Sequence, residues 1–140
     1  MVRDKRILKI LLAVFVLGAF YWFVLRTDPK VVALNQALEQ VASPALRNYP
    51  YTFRVVRLEG ESAVMGTPRS YEMPVVRMIG TLYPNLAGKA PDHPDFIAAE
   101  KELAQMQSEA RQIVLSQSGV SAVKWELDQS WLISHNIPLN

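Results

Sequence analysis

The longest apolar run of the chain lies within its first 26 residues. Residues 10–25 contain no charged side chain, and Ile7 and Leu8 extend the run to 19 residues across Lys9. A helix of that length measures about 28 Å, which matches a bilayer hydrocarbon core of roughly 30 Å. The pattern therefore predicts a transmembrane helix over residues 7–26.

The charges that flank this run predict its orientation. Residues 1–9 carry four cations against one anion, whereas Arg26 alone closes the far end. Cytoplasmic flanks of membrane helices are enriched in Lys and Arg. We therefore expect residues 1–6 in the cytoplasm and residues 27–140 exported, in a bacterial inner membrane with a periplasmic domain.

A cleaved signal peptide is the main alternative to an anchor. Gly18 is one of two small residues that could mark a cleavage site, yet the apolar run continues beyond it, which favours an uncleaved anchor. Lys9 can extend its ammonium group to the headgroups, and Tyr21 and Trp22 suit the opposite interface. The residues assigned to the anchor are Lys9, Gly18, Tyr21, Trp22 and Arg26.

The next apolar pattern predicts an amphipathic helix. Asp28 can cap its start and Pro29 fits its first turn. Apolar residues then recur at steps of three and four, and Ser43-Pro44 ends the pattern. They are Val31, Leu34, Leu38 and Val41.

Two segments rich in β-branched and aromatic residues predict antiparallel strands, over residues 51–59 and 70–83. The sequence Gly66-Thr67-Pro68-Arg69 predicts the reversal between them, and Pro74 places the second strand at an edge or bulge. The second strand would be apolar on both faces. Met73, Val75 and Ile79 would point to one face, and Val76, Met78 and Leu82 to the other.

The strongest periodic pattern predicts a helix of about 25 residues that Asp92 caps and Gly119 ends. Its apolar residues follow a 3-4-3-4-3 spacing, which favours packing on a sheet over a coiled-coil seam. They are Phe96, Ala99, Leu103, Met106, Ala110 and Ile113. Val123, Trp125 and Leu127 then alternate with polar residues, which predicts a last, half-buried strand.

The fold predicted for the exported part is α+β, a small αββαβ domain with a three-stranded sheet and two helices on one face. Together with the sequence Gly119-Val120-Ser121-Ala122-Val123, this order resembles BON-type modules and permuted ferredoxin-like domains of bacterial envelope proteins over residues 29–133. The glycines that a BON-type hairpin carries after its last strand are missing here. The resemblance implies a fold and no particular function.

Composition and charge exclude several kinds of chemistry. The net charge of +2 comes from the N-terminus, because residues 27–140 hold ten basic and twelve acidic side chains, a net −2. This acidic balance disfavours nucleic acid as a partner, although Arg54, Arg57 and Arg77 lie among aromatic residues. The chain has no cysteine and two histidines. We therefore expect no enzyme, no cofactor and no metal site.

Surplus apolar surface is the remaining indication of function. Either the chain itself covers the second strand and the apolar tail over residues 131–139, or they dock on another molecule. The candidate interaction surface comprises Met73, Val75, Val76, Met78, Ile79, Leu82, Trp131 and Ile133.

Three functions are compatible with these observations. The first, and favoured, is a non-enzymatic assembly, scaffold or accessory subunit that contacts the bilayer through residues 7–26 and binds another envelope protein. The second is an anchored lipid- or cell-wall-binding module, whose concave aromatic site would lie near Tyr83, Trp125 and Trp131. The third is a small enzyme that uses His93 or His135.

Overall fold

A computed structural model describes residues 2–26, 28–71 and 74–138, with the side chains of residues 2, 3 and 23–26 left aside. Within these ranges the chain is an α+β protein with six α-helices and a three-stranded mixed sheet. The helices are α1 (Val2–Arg26), α2 (Pro29–Val41), α3 (Pro44–Arg47), α4 (Val75–Leu82), α5 (Pro94–Leu115) and α6 (Gln129–Ser134). The strands are β1 (Val55–Glu59), β2 (Ser62–Thr67) and β3 (Ala122–Leu127), and a short 3-10 helix covers Pro84–Leu86.

Helix α1 contains the whole predicted anchor over residues 7–26, and each residue of α1 from Asp4 to Trp22 is exposed. Among the residues described, no helix combines the length and the apolar character that crossing a membrane requires. Lys9, Gly18, Tyr21 and Trp22 lie on α1, whereas the side chain of Arg26 lies outside the described part of the chain. The assignment of residues 7–26 to a membrane therefore stays a prediction.

Helix α2 confirms the predicted helix and its cap. The Asp28 carboxylate accepts a hydrogen bond from Lys30 N at 2.9 Å, and Pro29 occupies the first turn. Leu34 and Leu38 are buried, as the spacing predicted, whereas Val31 is half-buried and Val41 is 60 % exposed. Helix α3 follows directly because Ser43 caps it, accepting from Leu46 N at 3.2 Å.

The predicted hairpin is wrong in its position. Strands β1 and β2 are antiparallel, and Glu59 pairs with Ser62, so the turn lies at Gly60-Glu61 rather than at 66–69. Gly60 has a φ of +63°, a left-handed conformation that glycine adopts without a steric penalty. Gly66 and Thr67 instead belong to β2, which pairs in parallel with β3.

The predicted strand over residues 70–83 is also wrong, because Val75–Leu82 forms helix α4. The buried residues Met78, Ile79 and Leu82 follow helical spacing, which brings them onto one side of α4. Pro74 precedes the first helical residue, where its missing N–H leaves no helical hydrogen bond unmade. The β-branched composition of this segment had favoured a strand, and packing of the helical stripe determines the structure instead.

Helix α5 has the predicted stripe but different ends. All six predicted stripe residues are buried, which confirms packing within the chain. The cap is His93 rather than Asp92, since His93 Nδ1 accepts from Asp95 N at 3.1 Å. The helix ends at Leu115 rather than at Gly119, and Gly119 lies in the following turn with a φ of +85°.

The sheet has the order β1-β2-β3 and places its core on one face. Val55, Ala63 and Met65 lie on this inner face, and α2 and α5 pack against it. The parallel β2–β3 pair requires the crossover that α4 and α5 supply. The central strand β2 is buried almost throughout, whereas β1 and β3 form the two edges.

Candidate functional site

The predicted interaction surface divides into buried and exposed residues. Met78, Ile79 and Leu82 are at most 4 % exposed and belong to the core, so they are not available for docking. Val75 and Val76 are exposed on α4, and Met73 lies outside the described residues. The predicted two-faced strand is therefore replaced by one exposed helix side.

We call this region the α4 surface, defined by Tyr71, Pro74, Val75, Val76 and Arg77. Tyr71 is fully exposed in the turn before α4, and all five residues lie at the surface. A shallow groove of about 470 Å³ runs from Pro74 and Val76 past Gly80 to Ala87 and Gly88. Gly80 shapes this groove, because a Cβ there would lie 3.4 Å from Ala87 Cα.

The C-terminal tail seals part of the core and exposes Ile133. Leu132 is fully buried and Ile137 is nearly so, while Ile133 is 63 % exposed. Trp131 is half-buried, and its ring meets Tyr51 edge-on at a centroid distance of 5.5 Å. Among the described residues of the tail, Ile133 is the large apolar side chain that is exposed to a partner.

Asp128 joins the tail to the core. Its carboxylate accepts from Tyr51 Oη at 2.9 Å and from Trp131 N at 3.0 Å, which caps α6. Burial, followed by the hydrogen bond to Asp128, raises the pKa of Tyr51 far above its ordinary value. Burial and the contact with the Tyr83 hydroxyl at 3.2 Å do the same for the pKa of Tyr49. These tyrosine side chains stay neutral, and they stabilise the fold through their packing and hydrogen bonds.

Aromatic rings form a connected cluster inside the domain. Phe53 meets Tyr51 edge-on at 4.9 Å and Trp125 at 6.0 Å, while Tyr83 packs on Tyr49. Trp125, Trp131 and Tyr83 each contact a different core ring, and no ring contact joins any two of them in the described structure. Each of the three rings therefore packs against the core through a contact of its own.

The outer face of the sheet carries a network of ion pairs. Arg57 Nη1 lies 2.9 Å from Glu126 Oε2 across the sheet, and Arg57 Nε lies 3.2 Å from Glu59 Oε1. Lys124 Nζ lies 3.3 Å from Glu59 Oε2. Hydrogen bonds from Arg57 and Lys124 lower the pKa of Glu59, and those to Glu126 and Glu59 raise the pKa of Arg57. Arg57 therefore pairs along its own strand with Glu59 and across the sheet with Glu126.

Both histidines have structural roles. His93 caps α5, and His135 stacks on Trp131 at a centroid distance of 4.2 Å, with Nδ1 located 2.7 Å from Trp131 O. No group of three acidic or histidine side chains suited to a metal ion occurs among the residues whose placement is described. Among the described residues, exposed apolar side chains lie on the α4 surface, at Ile133 and along helix α1, and the sheet presents a charged outer face.

Comparison with known proteins finds no matching family model, no matching curated protein and no matching solved structure. The resemblance to BON-type modules therefore remains one of element order. Functional conclusions depend on the geometry of this chain alone.

Proposed function

We propose that this chain is a single-pass inner-membrane protein whose periplasmic α+β domain binds another envelope protein as a scaffold or accessory subunit. The observation that carries the proposal is the exposure of α1. Twelve large apolar side chains between Ile7 and Trp22 are each more than half exposed. Burying a side chain of this size contributes about 1.5–3 kcal/mol, so transfer of α1 into lipid is favourable by about 20 kcal/mol or more.

The apolar run continues in the sequence after Trp22, since Phe23, Val24 and Leu25 are apolar residues. The single cation within the run, Lys9, lies two residues from its N-terminal end, from which its side chain can reach the headgroups. The excess of cations before the run favours a cytoplasmic N-terminus.

Contact with a protein is supported by the α4 surface and Ile133. Tyr71, Val75, Val76 and Ile133 are exposed apolar side chains next to a well-packed core. Aromatic and aliphatic side chains of this kind are common anchors of protein interfaces. The groove beside Val76 offers a concave surface for a partner side chain.

In-cell photocrosslinking tests this function. A photoreactive residue is placed at Val76 or at Ile133 in the full-length chain, and Gln105, exposed on α5, serves as the matched control. We expect the same envelope protein to be captured from Val76 or Ile133 and not from Gln105. Capture of lipid or cell-wall polymer instead would favour a ligand-binding module, and equal capture from all three positions would refute specific docking.

A further inference from the structure

The two edges of the sheet are treated differently by the fold. At the β1 edge, Asn35 Nδ2 donates to Val55 O at 3.0 Å, and Val55 N donates to Asn35 Oδ1 at 2.7 Å. A bulge between Val55 and Arg57 interrupts the same edge. A side-chain clamp and a bulge are two devices that prevent a strand from pairing with another chain.

The β3 edge has no such protection in the described structure. Strand β3 pairs with β2 and with no other described strand, so its second edge is open. Its inner-face residues Val123, Trp125 and Leu127 are half-buried, although β2 is buried almost throughout. The apolar side chains along this edge are therefore incompletely covered.

The backbone groups of β3 that point away from β2 are positioned to hydrogen-bond with a further strand. Asp128 N donates to Thr67 O at 2.8 Å, just past the last pair of the continuous β2–β3 ladder. Backbone groups alternate along a strand, so those of Lys124 and Glu126 face β2. Those of Val123, Trp125 and Leu127 face the open edge.

We propose that the β3 edge pairs antiparallel with the β3 edge of a second copy of this chain, with Trp125 opposite the partner's Trp125. Charge complementarity selects both the occupant and the register. In this register Lys124 faces the partner's Glu126, and Glu126 faces the partner's Lys124. The two three-stranded sheets then join into one sheet of six strands, in the order β1-β2-β3-β3-β2-β1.

Neighbouring registers lose this complementarity. If Lys124 or Glu126 instead faced its own copy in the partner strand, two like charges would lie directly opposite each other. If Leu127 faced its own copy, Glu126 would lie opposite Asp128. If Val123 faced its own copy, Lys124 would lie opposite Ala122. Opposite charges across an antiparallel pair are stabilising and like charges destabilising, so the Trp125 register is favoured.

The ion pairs within each copy are compatible with this contact. The Lys124 and Glu126 side chains keep 61 % and 45 % of their surface exposed beside their partners Glu59 and Arg57. Pairing of the two β3 strands therefore joins the ion-pair network on the outer sheet face of one copy to the same network on its partner. On the inner face it brings Val123 next to Leu127 and the two Trp125 side chains together, which covers the edge.

Charge reversal on the full-length chain in mild detergent tests the proposal by sedimentation. Lys124→Glu and Glu126→Lys each place like charges opposite each other twice, and we expect each to weaken the dimer by about tenfold or more. Equimolar mixing of the two variants restores both charge pairs and should restore dimers as heterodimers. Lys101→Glu, on the exposed side of α5, is the matched control and should dimerise like the unmodified chain.

The mixing step distinguishes loss of the contact between two chains from misfolding within one chain. A variant that is merely misfolded would not regain dimerisation when it is mixed with the other variant. A second test uses the absence of native cysteines. Chains carrying Lys124→Cys and Glu126→Cys should form mixed disulfides faster than either forms its own. An unmodified chain that stays monomeric, or dimers unaffected by either reversal, would overturn the proposal, as would crosslinking of this edge to a different protein alone.

Discussion

The helical conformation of residues 75–82 predicts that truncating two of its aliphatic side chains, Ile79 and Val76, has very different effects on stability. Ile79 is 0 % exposed in the core, whereas Val76 is 39 % exposed on the α4 surface. Ile79→Ala removes buried methyl and methylene groups and leaves a cavity, which costs about 3 kcal/mol. Val76→Ala removes two half-exposed methyl groups and should lower the free energy of unfolding by about 0.5 kcal/mol.

The assay is urea and thermal unfolding of the full-length chain in mild detergent. Fluorescence of Trp125 and Trp131 reports the transition in a Trp22→Phe background, since both rings pack on core aromatics. In a domain of this size 3 kcal/mol corresponds to a fall in Tm of about 10–15 °C, against about 2 °C for Val76→Ala. Equal losses at the two positions would refute the helix, because they are the result expected of a strand buried on both faces.

Two further predictions concern the buried Tyr51 side chain. A Cβ at Gly66 would lie 3.0 Å from Tyr51 Oη, so Gly66→Ala should destabilise the fold by about 1–3 kcal/mol. In a Tyr51→Phe background the loss should be clearly smaller, because the crowded hydroxyl is gone. Equal losses in both backgrounds would contradict this contact. The pKa of Tyr51 is raised in the folded state, so its neutral form stabilises the fold below the ordinary tyrosine pKa, and that contribution is lost as the pH rises above about 10. Urea unfolding from pH 9 to about 11 should show a steeper alkaline loss of stability for the unmodified chain than for Tyr51→Phe, and parallel curves would refute it.

The parts of the fold that the sequence predicts well are those with strong local patterns. Asp28-Pro29 and the apolar spacing of α2 act within one helix, as does the stripe from Phe96 to Ile113, and both are found where expected. The alternation along β3 likewise needs no distant contact. Where one periodicity and one set of caps determine an element, sequence is sufficient.

Helix α4 shows where local patterns are ambiguous. Half of its eight residues are β-branched, so the segment fits the alternation of a strand as well as the helical spacing of Met78, Ile79 and Leu82. Packing against α5 and the core decides in favour of the helix. Because helical phase determines which apolar side chains remain outside, three of the eight residues of the candidate interaction surface lie in the core: Met78, Ile79 and Leu82.

The features that distinguish the sheet edges arise from contacts distant in sequence. Asn35 clamps Val55 twenty positions away, and Arg57 meets Glu126 across the sheet. A side chain can serve as an edge clamp or an ion-pair partner only once the topology is set. The Lys-x-Glu spacing of β3 is visible in the sequence, but its meaning depends on the open edge.

The proposed topology joins a cytoplasmic N-terminus to an exported domain through a membrane helix, and the cysteine-free chain allows it to be measured directly. Asp4→Cys keeps every N-terminal cation, and Ser134→Cys places a thiol on an exposed part of the domain. Each is treated with a membrane-impermeant maleimide in cells whose outer membrane alone has been opened. We predict that the cysteine at position 134 reacts in these cells and that the cysteine at position 4 reacts only after lysis. Protection of position 134 until lysis would contradict the proposed topology.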